Sequence, residues 1–171
     1  KSTLFNALTG SGVYAADKLF ATLDPTVRKL EGLSSGAAVV ADTVGFVRDL
    51  PHDLVAAFRS TLSEAREADL LLHVVDAHDP HREQRIAQVN AVLAEIEAGD
   101  IPQVQVWNKI DLLDGAMPGL DAVDGGSTPR VWLSAAGGNG LDLLRQAIDG
   151  RLARERVHRW LHLPSAAGRL R

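Results

Sequence analysis

Val104-Gln105-Val106-Trp107-Asn108-Lys109-Ile110-Asp111 is the stretch that decides how this sequence folds. It opens as a short apolar strand and stops abruptly on polar residues. The same shape recurs along the chain. Ala37 to Ala41 stops at Asp42, Leu70 to Val75 at Asp76, and Val131 to Leu133 at Ser134. Short apolar runs bounded by polar residues read as strands buried in a sheet. Between them, apolar residues fall at helical spacing: Leu54, Phe58, Leu62 and Ala65 after Pro51-His52-Asp53, then Ile86, Val89, Leu93 and Ile96, and finally Leu141, Leu144, Ile148 and Leu152. Leu4 to Leu8 reads as a short helix closed by Thr9-Gly10, residues 11–25 as a loop, and Thr26 to Glu31 as an edge strand. Helices alternating with strands predict an α/β fold, with a parallel or mixed sheet covered on both faces. In such sheets ligands bind beyond the carboxyl ends of the strands. Asp42, Asp76, Asn108 and Ser134 stand at those ends.

Composition narrows the class. The chain has 171 residues, 46% hydrophobic and 23% charged, which suits one globular domain and excludes a disordered or collagen-like chain. No apolar run approaches the ~20 residues of a spanning helix. With no cysteine, disulfide scaffolds, zinc–thiolate sites and thiol catalysis are excluded. The six histidines show no metal-ligand spacing. The net charge is −4 but unevenly spread: from Arg145 onward seven arginines face two acids, Asp149 and Glu155. That basic end reads either as a solvated helix terminus or as a docking surface for an anionic partner.

Five motifs carry chemistry. Asn108-Lys109-Ile110-Asp111 has the form N-K-x-D directly after a strand. A carboxylate at Asp111 accepts from the ring N–H and exocyclic amine of guanine, a donor pair adenine lacks. Asn108 can bond the acceptor edge of the base or neighbouring loops, and the Lys109 stem can cover the ring. Ser134-Ala135-Ala136 follows the last strand, where small residues let backbone N–H groups reach the guanine oxygen. Asp42-Thr43-Val44-Gly45 is a D-x-x-G: Asp42 suits Mg²⁺ held through water, and Gly45 can offer its N–H to a terminal phosphate. Lys1-Ser2-Thr3 reads as the end of a phosphate-binding loop, G-x-x-x-x-G-K-[ST], running into a helix. Lys1 would then reach the phosphates and Ser2 would ligand Mg²⁺. In Phe20-Ala21-Thr22-Leu23-Asp24, the Thr22 hydroxyl can complete the metal's coordination when the loop closes.

These residues, in this order, resemble a translation-factor-type GTPase. More narrowly, VYAADKLFATLDPTVRKL (13–30), ADTVGFVRDLPHDLVAAFRSTL (41–62) and EADLLLHVVDAHDP (67–80) resemble the HflX family of ribosome-associated GTPases, and the similarity runs into the final LPSAAGRLR. The resemblance implies a Ras-like P-loop GTPase fold of three layers, GTP/GDP with Mg²⁺, and a cytoplasmic monomer associated with the large ribosomal subunit. It implies a GTPase domain over 1–155, truncated at its amino end, and a C-terminal extension over 156–171. The expected catalytic residues are Lys1, Thr22 and Gly45. The expected metal ligands are Ser2, Thr22 and Asp42. The nucleotide contacts run through Lys1 to Thr3, Phe20 to Asp24, Asp42 to Gly45, Asn108 to Asp111 (with Ile110), and Ser134 to Ala136.

Two departures qualify the resemblance. The family's glycine-containing loop segment and the central strand before it are not in these 171 residues, so weak or absent GTP binding is expected of this stretch alone. Phe46 follows Gly45 where many GTPases place a water-orienting Gln. Hydrolysis should therefore need a partner or another residue, with Arg48 and His52 nearby. The competing readings are a ribosome-docking module without effective hydrolysis and an ATP-using P-loop protein, the latter opposed by Asp111.

Overall fold

The computed structural model describes residues 1–10, 26–42, 65–121 and 128–155. The expected loop over 11–25, the helix begun at Leu54 and the extension over 156–171 lie outside the described residues. The elements are α1 (Ser2–Thr9), β1 (Thr26–Leu30), β2 (Ala38–Asp42), β3 (Leu71–Asp76), α2 (Arg82–Glu95), β4 (Gln103–Asn108), a 3₁₀ turn (Ile110–Leu112), β5 (Gly119–Asp121), β6 (Arg130–Leu133) and α3 (Leu141–Glu155). Every strand expected among the described residues is present. β5 was not expected: it is three residues long, follows Pro118, and exists through antiparallel pairing with β6.

The ladders form two sheets. β1 and β2 make an antiparallel hairpin, and the other strands run in the order β3-β4-β6-β5. β3, β4 and β6 are parallel, with Asp76 opposite Asn108 and Asn108 opposite Leu133, so their carboxyl ends share one edge. Strand periodicity sorts the side chains between two faces. Val104, Val106, Val131 and Leu133 turn to one face, where they pack with Leu4 and Leu8 of α1, Leu30 of β1, and Leu144, Ala147 and Ile148 of α3. Trp107 turns to the other face and packs with Val75, Ala77, Ile110 and Ile86 of α2, with Trp132 partly buried beside it. Arg130 and Arg82 lie over the Trp107 ring at 4.3 and 5.3 Å. Helices thus cover both faces, and among the described residues the hairpin joins the first core through Leu30, Ala38 and Val40 rather than through a ladder. No helix among the described residues is long and apolar enough to cross a membrane.

Candidate functional site

The phosphate side is assembled where α1 begins and β2 ends. Lys1 is the residue before the first turn of α1, and Gly10 closes that helix in the left-handed conformation. The helix buries Leu4, Phe5 and Leu8, which fixes its first turn against the hairpin. Asp42, the buried last residue of β2, receives two donors there. Lys1 Nζ lies 3.0 Å from its Oδ1, and Ser2 Oγ lies 3.5 Å from its Oδ2. Three residues assigned to phosphate and metal from sequence therefore meet at one carboxylate. Thr3 is exposed beside them. Phe20 to Asp24, including Thr22, and Thr43 to Gly45 lie outside the described residues, as do Phe46, Arg48 and His52.

The base side is assembled at the ends of β4 and β6. Asn108 is buried, and its Oδ1 accepts from Lys109 N at 2.8 Å and from Ala135 N at 2.9 Å. One amide therefore fastens the N-K-x-D turn to the Ser-Ala-Ala turn. Asn108 O also accepts from Ala77 N at 2.8 Å, tying in the end of β3. Ser134 is fully buried; its Oγ accepts from Gly137 N at 3.0 Å and its N–H reaches Asn139 O at 3.0 Å. Gly140 has φ +83°, and a Cβ there would stand 2.9 Å from Trp132 O, so only glycine fits this return of the chain. Ile110 is buried under the turn, while Asp111 and Ala136 are exposed.

Asp111 is exposed, in a single 3₁₀ turn anchored by Ile110; a base seated on it would be what removes it from water. Lys109 reaches sideways, and its Nζ donates to Asp76 Oδ2 at 2.7 Å. Asp76 also accepts from His78 N at 3.1 Å. Sequence reasoning marked Asp76 as a strand end but gave it no role. Its signal was there: parallel strands bring it opposite Asn108, one residue from Lys109. Both partners are partly exposed, so the pair adds at most about 1 kcal/mol to stability. Lys109 has φ +71°, a left-handed conformation that costs a residue with a Cβ roughly 1–2 kcal/mol. The bond from its N–H to Asn108 and the bond from its Nζ to Asp76 hold it there.

One buried titratable group lies away from both clusters. His73 of β3 is buried with Nδ1 unpartnered, and burial lowers its pKa below the ordinary value. It takes no part in either cluster.

Residues 1–109 match the family described as 50S ribosome-binding GTPase. Among curated relatives, the GTPase HflX of Escherichia coli is 53% identical over the whole chain, which spans 40% of that protein. The GTPase HflX of Caldanaerobacter subterraneus is 49% identical over 91% of the chain, which covers 35% of it. The chain therefore spans well under half the length of these relatives. Among solved structures, a GTP-binding protein from Sulfolobus solfataricus in complex with GDP superposes with TM-score 0.70 at 28% identity, over 90% of this chain and 49% of that one. The mixed sheet, its helices on both faces and the motif-bearing strand ends are those of a Ras-like P-loop GTPase domain. The chain belongs to the family of 50S ribosome-binding GTPases, and HflX proteins are among the relatives it matches.

Proposed function

We propose that the protein binds GTP with Mg²⁺ and hydrolyses it to GDP and phosphate, acting in the cytoplasm as a monomer on the large ribosomal subunit. The observation that carries this reading is the Asn108 amide, which joins the N-K-x-D and Ser-Ala-Ala turns through two bonds to one oxygen. A base held between those turns meets Asp111 on one side and the backbone after Ser134 on the other. The Asp111 carboxylate accepts two adjacent hydrogens, so guanine satisfies it and adenine does not.

The oxygen donors suit Mg²⁺. Ser2 Oγ and Asp42 Oδ2, 3.5 Å apart, are hard ligands close enough for a hydroxyl on the ion and a carboxylate on one of its waters. Bound there, the ion would offset charge on the phosphates. Lys1, now paired with Asp42 at 3.0 Å, would turn its ammonium to the phosphate oxygens. Thr22 and Gly45 are assigned to the γ-phosphate, tying its presence to their two loops. The glycine part of the phosphate loop is assigned to sequence ahead of Lys1. Water attacks the γ-phosphorus in line, and the bond to the β-phosphate oxygen breaks. Phe46 cannot hydrogen-bond that water, so its positioning falls to a partner or to a residue such as Arg48 or His52.

An Asp111→Asn variant of the complete gene product tests the base contact. It should prefer xanthosine over guanosine triphosphate, and an unchanged preference would refute the reading. Large ribosomal subunits should accelerate hydrolysis; equal rates with and without them favour the docking module.

A further inference from the structure

Among the described residues, the sheet face that carries α2 is covered by a helix at one end only. α2 stands over β3 and β4, where its Ile86 packs with Val75 and Trp107. Parallel strands are as a rule covered by the helices of their own crossovers. The crossover from β4 to β6 has no helix among its described residues and runs instead through the 3₁₀ turn and β5. It lies wholly between Asn108 and Arg130, so sequence ahead of Lys1 adds no residue to it. On this face β6 presents Trp132 and Arg130, both half-buried.

Aromatic rings and cations gather at that uncovered end. Trp107 and Trp132 face each other across β4 and β6, with ring centroids 4.6 Å apart. The Arg130 and Arg82 guanidiniums share the Trp107 ring, at 4.3 and 5.3 Å from its centroid. Neither pairs with a carboxylate among the described residues. Arg82 Nη1 reaches only Ala77 O, at 3.4 Å, and the Nε of each arginine is buried without a partner. Asp121 stands opposite Arg130 in the register, but its Oδ2 accepts from Trp132 Nε1 at 2.9 Å and so fixes the indole plane. A donor left unmade is costly, so these two cations are short of acceptors. They stand in a stretch that, ahead of Arg145, is acidic on balance.

We propose that Arg82, Arg130 and Trp132 form a docking patch for single-stranded RNA of the large ribosomal subunit. A phosphate supplies the oxygens that the two guanidiniums lack, and the neighbouring base stacks on the open part of the Trp132 ring. Phosphate contacts carry no sequence information and stacking accepts any base, so the patch holds a strand without reading it. The segment 156–171 does not suit the patch, because its own arginines repel Arg82 and Arg130. An acidic peptide would satisfy the guanidiniums, but its carboxylates offer the indole nothing to stack on. The patch rests on the reading that the protein docks on the large subunit, and it puts one contact on the α2 face.

The test is binding of the complete gene product to large ribosomal subunits over a series of salt concentrations. Replacing both Arg82→Gln and Arg130→Gln should weaken binding about tenfold and flatten the slope of log affinity against log salt by about 0.7, the share of one single-strand phosphate. GTP hydrolysis without subunits should not change. Arg130→Lys keeps the charge and should keep the slope while losing part of the affinity. Oligouridylate should quench the tryptophan emission of the unaltered protein, and Trp132→Phe should remove most of that quenching; this measurement stands in if the double variant does not fold. A folded double variant with unaltered affinity and slope would overturn the patch. So would quenching of Trp132 by polyglutamate as strong as that by oligouridylate, which would make an acidic protein the occupant. If the unaltered protein itself does not bind large subunits, the docking reading fails and takes the patch with it.

Discussion

The base side and the phosphate side of this molecule are built by different means. The base side stands on three parallel strands whose ends are brought level by ladder hydrogen bonds, and a single buried amide finishes it. Among the described residues, the phosphate side joins the start of a short helix to the end of a hairpin strand at one carboxylate, where Lys1 and Ser2 meet Asp42. Strand ends levelled by ladders are fixed in place, whereas two donors on one carboxylate can exchange partners. On the proposed reading the contrast suits a switch, since the base would stay gripped while Lys1 turned from Asp42 to an arriving phosphate.

Three substitutions press on that contrast. The largest effect belongs to Asn108→Ala. It strands the N–H groups of Lys109 and Ala135, the second of them buried, and each orphaned donor costs about 1–3 kcal/mol. Urea unfolding should show a loss of that order, and GDP affinity should fall with it. A variant of wild-type stability would mean that the base side does not hang on this amide.

A middle effect is expected at His73, within the four-stranded sheet. Its folded pKa is lowered by burial, so below its ordinary value the unfolded chain takes up a proton that the folded chain refuses. Stability should fall as pH drops from about 6.5 toward the folded pKa, and this part should be level above that window. His73→Leu should remove that part of the slope. Urea midpoints compared at pH 5 and pH 7.5 decide it, and identical pH slopes in the two proteins would contradict the assignment.

The smallest effect is on the hairpin's outer face. Val39 is 72% exposed, so Val39→Ala should change stability by no more than about 0.5 kcal/mol. A loss of several times that in thermal unfolding would show that this face is covered in the complete gene product.

The sequence disclosed the base side more fully than the phosphate side, for physical reasons. Strand ends in the four-stranded sheet announce themselves because apolar runs stop where the sheet stops, and Asn108 to Asp111 and Ser134 to Ala136 follow two such ends directly. The bond between Asn108 and the turn after β6 was within reach of that reading, since a buried polar residue at a strand end needs a neighbour. β5 was not legible, because a three-residue strand after Pro118 has no period of its own and takes its shape from β6. Asp149 of α3 accepts from Ser34 and Ser35, and that contact was not legible either. It joins positions 115 residues apart, and neither a Ser-Ser-Gly turn nor an aspartate on a helix points to the other. The pairing of the Lys109 ammonium with Asp76 was not legible, because Asp76 comes from another strand and only the parallel register brings the two together.

The left-handed backbone at Lys109 carries a last implication. Glycine would relax that torsion, and on folding energy alone the exchange looks favourable. It would also delete the tether to Asp76 and, on the proposed reading, the stem that covers the base, so heat tolerance and nucleotide affinity would pull in opposite directions at this codon. A library screened only for survival at high temperature should drift toward Gly there, and its winners should hold guanine nucleotide more weakly.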